Sequence, residues 1–201
     1  MDNIYGVVLV VGDSLVSGAR DEFGLSMPRE LGRLMSERYS QHWIAVEKGV
    51  NGETSSQLLR RFYDVCRSYP EAAEVVVCVG TNDAKADVAT PPEIFDQNYR
   101  EIVRTIKILK KPVLMCTVPQ PEGFGAPDRI RADLVDLYNK TIMKIAHEGS
   151  PKGHHLVWYV ELDKVAAAHR ADGIHLTHAG NVWFAHETLL IIERERKYKC
   201  A

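Results

Sequence analysis

A serine that closes an apolar run, a histidine three residues after an aspartate, and two glycine-containing loops between them define the chemistry open to this chain. The run Val7-Val8-Leu9-Val10-Val11 stops abruptly at Gly12-Asp13-Ser14, which reads as a buried strand delivering a hydroxyl at its end. A serine hydroxyl is a weak nucleophile until a neighbouring base takes its proton. The segment Asp172-Gly173-Ile174-His175 offers that base. Its spacing lets the Asp172 carboxylate reach the imidazole and set the tautomer, leaving the other ring nitrogen for Ser14. Acyl transfer further requires donors aimed at a developing oxyanion. The backbone N–H groups of Ser14 and Gly52 and the side-chain amide of Asn82 are expected to form that set. Asp13 and Asp83 are expected to accept hydrogen bonds from loop amides, as Asp does in turns.

These residues act together only if the chain brings their loops to one place. Apolar strands at Val7–Val11, Trp43–Val50, Val75–Val79, Pro112–Val118 and Leu156–Val160 alternate with helices. The helices are expected over Pro28–Tyr39, from an N-cap at Thr54 through Val65, over Glu93–Leu109, over Asp128–His147, and from Thr177 or His178 to Tyr198. Such alternation predicts an α/β domain of three layers over residues 1–201, flavodoxin-like, with a five-stranded parallel sheet. In an open sheet of this kind the carboxyl ends of the strands share one edge. The loops Gly12-Asp13-Ser14, Asn51-Gly52 and Gly80-Thr81-Asn82-Asp83 should therefore converge there.

Composition excludes several alternatives. A net charge of -2 gives no reason to expect nucleic acid as partner. Arg194, Arg196, Lys197 and Lys199 are expected to form a solvated last helical turn. The four cysteines include no CxxC pair, so neither a disulfide framework nor a zinc ribbon is expected. Cys78 and Cys116 lie in apolar runs, where free Cys behaves as a small hydrophobe. His175 and His178 have a spacing that could bind metal, but no nearby Cys or carboxylate completes a shell, and no metal or cofactor is expected. No apolar stretch approaches a membrane span, and no leader precedes the first strand; a reduced, cytoplasmic setting is expected. The first loop lacks the Lys of a phosphate-binding loop and the third Gly of a dinucleotide fingerprint.

Gly12-Asp13-Ser14-Leu15 resembles the first motif block of the SGNH (GDSL) hydrolases. Gly52 in Asn51-Gly52-Glu53-Thr54-Ser55 is similar to the second block, Gly80-Thr81-Asn82-Asp83 to the third, and Asp172-Gly173-Ile174-His175-Leu176-Thr177 to the fifth. The blocks follow the family's order across residues 12–177. The resemblance implies Ser14 as nucleophile, His175 as base, Asp172 as its partner, and Ser14, Gly52 and Asn82 as the oxyanion hole. It also implies a five-stranded parallel sheet and a small ester substrate. Glu53 stands where the family often has Asp, a change that leaves a backbone donor at Gly52 untouched. The G-x-S-x-G elbow of the larger α/β-hydrolase fold is absent, because position 16 is Val. A serine esterase acting on short-chain or acetyl esters is the expected activity. An acyltransferase, thioesterase or lysophospholipase with the same site, and a non-catalytic binding module, remain as alternatives. Phe23, Leu25, Phe124 and Ile174 are candidates to line an acyl pocket.

Overall fold

A computed structural model describes residues 5–122, 129–149 and 157–199. Five strands and five helices follow one another in the expected alternation: β1 (Tyr5–Gly12), α1 (Met27–Tyr39), β2 (His42–Gly49), α2 (Ser55–Arg67), β3 (Glu74–Cys78), α3 (Pro92–Ile108), β4 (Val113–Cys116), α4 (Ala132–Gly149), β5 (Val157–Val160) and α5 (His178–Lys199). The strands form one parallel sheet in the order β2-β1-β3-β4-β5. This is the flavodoxin-like order, whose switch point lies beside β1.

Both faces of the sheet are covered, which is why β1, β3 and β4 carry continuous apolar runs. Successive side chains in a strand point to opposite faces, and the core divides accordingly. Val7, Leu9, Val11, Val75, Val77, Val113 and Met115 pack with Leu58, Phe62, Phe95, Tyr99, Tyr138 and Ile142 of α2, α3 and α4. Val8, Val10, Val76, Cys78, Leu114 and Cys116 face Leu31, Met35, Phe184 and Ile192 of α1 and α5. Cys66, Cys78 and Cys116 are free and buried, as expected of small apolar side chains; Cys200 lies outside the described residues. No helix among the described residues is long and apolar enough to cross a membrane.

The register brings the strand ends level. Gly12 of β1 lies opposite Gly49 of β2 and Cys78 of β3. Gly12 is required there by close approach: a Cβ at this position would sit 1.8 Å from the Cys78 carbonyl oxygen. Thr54 caps α2 through a reciprocal box with Gln57, whose side chain returns to the Thr54 N–H at 2.9 Å.

Three expectations need correction. β4 ends at Cys116 rather than Val118, because the Asn139 side chain on α4 takes both Val118 backbone groups, accepting from its N–H at 2.7 Å and donating to its carbonyl at 2.9 Å. The C-terminal basic cluster is not uniformly solvated. Arg196 donates to both carboxylate oxygens of buried Glu74, with its Nη2 at 3.0 and 3.2 Å, and lies over the Tyr39 and Trp43 rings. Arg194 is exposed; the Lys197 and Lys199 side chains, the expected strand start at Leu156, and Phe124 lie outside the described residues. The helix expected from Asp128 begins at Ala132, because residues 129–131 pair with the 84–86 segment instead.

Candidate active site

After β1 the chain turns sharply instead of entering a long helix. The Asp13 carbonyl accepts from the N–H groups of Val16 and Ser17, and the Ser14 carbonyl accepts from Ala19 N–H. Ser14 is thereby held at the strand end, 7% exposed. Its hydroxyl lies 3.0 Å from His175 Nε2, although 161 residues separate the two in sequence. His175 Nδ1 is 2.8 Å from Asp172 Oδ2. The Asp172 Oδ1 accepts from the N–H groups of Ile174 at 3.2 Å and His175 at 2.9 Å. With the carboxylate ionised, the proton belongs on Nδ1, and Nε2 is left to accept from the Ser14 hydroxyl. Burial alone would raise the Asp172 carboxyl, but the His175 backbone and ring hydrogen bonds outweigh it and hold the group below its ordinary range.

The donors expected for an oxyanion are gathered on the same side. Ser14, Gly52 and Asn82 line one cavity of about 500 Å³ together with His175. Among the described residues, the N–H groups of Ser14 and Gly52 donate to no protein acceptor. Gly52 adopts a φ of +80°, the left-handed conformation natural to glycine, and a side chain there would project into open space. The Asn82 amide nitrogen donates to the Glu53 carbonyl at 3.0 Å and approaches Asp13 Oδ2 at 3.5 Å. That long second contact leaves its other N–H available to a ligand.

A buried acidic layer lies beneath these donors. Asp13 Oδ1 accepts from Leu15 N–H at 2.9 Å. Asp83 accepts from the Ser55 backbone at 2.8 Å and the Ser55 hydroxyl at 2.6 Å, tying the third loop to the start of α2. Burial pushes the Asp13 carboxyl up to about 7, with the Leu15 hydrogen bond opposing and the charges of Asp83 and Glu53 adding to the rise. Burial raises Asp83 as well. The expected bonding of both aspartates to loop amides is therefore found. The electrostatic cost at Asp13 is not visible in a motif.

Further positioning residues were missed. Arg61 on α2 clamps the second loop: it donates to both Glu53 oxygens, at 2.6 and 2.5 Å, and to the Lys48 carbonyl at 2.9 Å. Since the Glu53 carbonyl holds Asn82, this clamp reaches the third loop as well. Arg170, nearly fully buried, donates to the carbonyls of Gln120 and Val165. The Gly173 carbonyl accepts from Glu122 N–H at 3.1 Å, so the fourth loop is bound to the segment bearing His175. No local spacing marks either arginine. Ile174 lines the cavity, with Ala19 and Ile130. Phe23 instead stands 68% exposed and edge-on to the His178 ring at 5.2 Å, and Leu25 lends its carbonyl to Asn181.

Known folds resemble this arrangement over almost its full length. A lipase/acylhydrolase from Enterococcus faecalis superposes with a TM-score of 0.78 at 20% identity, covering 93% of this chain and 95% of its own. Est24, a carbohydrate acetylesterase from Sinorhizobium meliloti, gives 0.78 at 15% identity, covering 94% and 99%. An aryl esterase from M. smegmatis gives 0.77 at 16% identity, covering 96% and 99%. No curated protein matches the sequence. The model of the GDSL-like lipase/acylhydrolase family matches residues 10–183, taking in Ser14, Asn82 and His175 alike, and the chain belongs to that family.

Proposed function

We propose that this protein is a serine esterase that cleaves short-chain or acetyl carboxylic esters through an acyl-enzyme on Ser14. The observation that carries this reading is the continuous chain Ser14–His175–Asp172, with contacts of 3.0 and 2.8 Å. In the first step the Ser14 oxygen attacks the ester carbonyl while His175 Nε2 takes the hydroxyl proton. The carbonyl oxygen becomes an oxyanion, which the N–H groups of Ser14, Gly52 and Asn82 stabilise. On collapse the carbon–oxygen bond to the alcohol breaks, and His175 returns its proton to the departing oxygen. A water then repeats the sequence on the acyl-serine, releasing the acid and restoring the hydroxyl. Asp172 keeps the Nδ1 proton in place and offsets the charge of the imidazolium.

The GDSL-like family membership supports hydrolytic chemistry. Apolar side chains at Ala19, Ile130 and Ile174 offer a surface for the acyl group. A fluorophosphonate probe provides the direct test. It should add to Ser14 with a stoichiometry near one, located by peptide mass, and purified protein should hydrolyse 4-nitrophenyl acetate. Absence of both labelling and turnover would make the protein a binding module on this fold.

A further inference from the structure

Among the described residues, two cations at the cavity lack a close ionic partner. The acidic side chains near the cavity accept hydrogen bonds from the chain itself, Asp13 from Leu15 among them. Asp172 is held by His175 and two amides, Glu53 by Arg61, Asp83 by Ser55, and Asp21 by Asn181 together with the N–H groups of Phe23 and Leu25. Two cations, Arg20 and Lys85, line the same cavity as Ser14. Among the described residues Lys85 forms no ion pair or side-chain hydrogen bond; its charge reaches the buried Asp13 only at a distance. Arg20 approaches Asp172 Oδ2 no closer than 3.8 Å and its side chain remains 70% exposed.

Backbone contacts fix the segment that carries Lys85. Lys85 pairs with Ile130 in an antiparallel bridge, and its carbonyl accepts from Val88 and Ala89 N–H groups at 3.0 and 2.7 Å. Arg20 adopts a φ of +72°, a conformation that non-glycine residues seldom take. Arg129 stands close by: it shares with Lys85 an adjoining depression whose acidic member is Asp87.

Resting on the esterase reading above, we infer that the ester taken by this site carries a negative charge, a carboxylate or phosphate group, which Arg20 and Lys85 receive. A guanidinium presents a planar fork to such a group, and an ammonium offers a mobile point charge. Both would act where the nucleophile is already placed, so the selection falls on kcat/KM.

Matched ester pairs test this with the purified full chain. In one pair the charge is on the acyl half: 4-nitrophenyl hydrogen adipate against its methyl ester. In the other it is on the alcohol half: 4-acetoxybenzoate against methyl 4-acetoxybenzoate. Each rate is divided by the hydroxide-catalysed rate of the same ester. In at least one pair the anionic member should exceed its neutral partner in kcat/KM by about tenfold at low salt, the scale of one hydrogen bond to a charged group. The arm that responds identifies which half bears the charge. The ratio should shrink severalfold in 0.5 M NaCl. It should fall toward one in Lys85→Gln with Arg20→Gln, and Lys85→Arg should recover it. Ratios at or below one in both pairs, with Ser14 still labelled by the fluorophosphonate, would overturn the inference and leave the esterase standing. A preference that survives both the double substitution and high salt would equally overturn it. Failure of labelling and of every ester removes both readings.

Discussion

Two carboxylates are buried at opposite ends of the same sheet, and the chain treats them differently. Glu74 opens β3 at the amino edge, 2% exposed, and meets the Arg196 guanidinium through both its oxygens. The arginine is in turn stacked over Tyr39 and Trp43, at 4.6 and 4.4 Å. Asp13 follows β1 at the carboxyl edge, fully buried, with one short hydrogen bond from Leu15, two acidic neighbours, and a cation, Lys85, that acts only from a distance. At the amino edge the buried charge is paired, which limits its desolvation cost. At the carboxyl edge the cost is retained beside the residues proposed to do chemistry. A site that must hold strained or unpaired groups loses stability, and the rest of the fold compensates.

The first way to break this contrast is to remove the chemistry without touching the charges. Ser14→Ala should lower ester turnover by about 10⁴–10⁶-fold, the range seen when a catalytic nucleophile is lost, while the thermal midpoint stays close to that of the parent. Retained turnover, measured as kcat with 4-nitrophenyl acetate, would show that the carboxyl edge is not the reactive one.

The amino edge should respond in the opposite sense. Arg196→Met leaves Glu74 buried without its guanidinium and should cost about 3 kcal/mol in urea unfolding, with turnover per folded molecule unchanged. An unchanged unfolding midpoint would mean that the pair contributes nothing net. At the site, Asn82→Ala should reduce kcat by about 10²–10³-fold as one oxyanion donor disappears. A loss confined to KM would instead assign Asn82 to substrate binding alone.

The smallest expected effect is a gain. The Asp13 carboxyl has an ordinary value of 3.8 and is pushed up to about 7 in the fold. Below 3.8 it is protonated in both folded and unfolded chains and costs nothing. As pH rises from 3.8 to about 7, the unfolded chain releases the proton while the folded chain keeps it, so stability falls through that window. Above it the full penalty is present, with a ceiling of about 4 kcal/mol. Asp13→Asn keeps an acceptor for Leu15 and should therefore stabilise by about 2 kcal/mol at pH 8. The gain should shrink to nothing by pH 3.5, as read from unfolding midpoints across pH. A destabilised variant at every pH would show that Asp13 is held by hydrogen bonding rather than tolerated against its charge.

How much was legible follows from where each partner sits. The layers were readable because β1, β3 and β4 carry apolar runs that only a sheet covered on both faces can bury. Asp172 and His175 were readable because a three-residue turn brings carboxylate and ring together without help from elsewhere. Arg61 and Glu53 are separated by a helix start, and their pairing depends on how α2 packs against the ends of β1 and β2. Arg196 was misread as solvated because its partner lies 122 residues away. The early end of β4 has the same origin, since Asn139 of a different element replaces the ladder at Val118.

By itself, then, the sequence determined which groups could react and that their loops share one edge. Short-range turn geometry and strand periodicity are local properties, written in consecutive residues. Only the tertiary structure decided that Ser14 and His175 meet at 3.0 Å, that Glu53 fastens Asn82, and that Asp13 is buried with its nearest cation, Lys85, only at a distance. It likewise decided that Arg20 and Lys85 look into the same cavity. Burial and charge pairing depend on which distant segments pack together, and no local pattern records that choice.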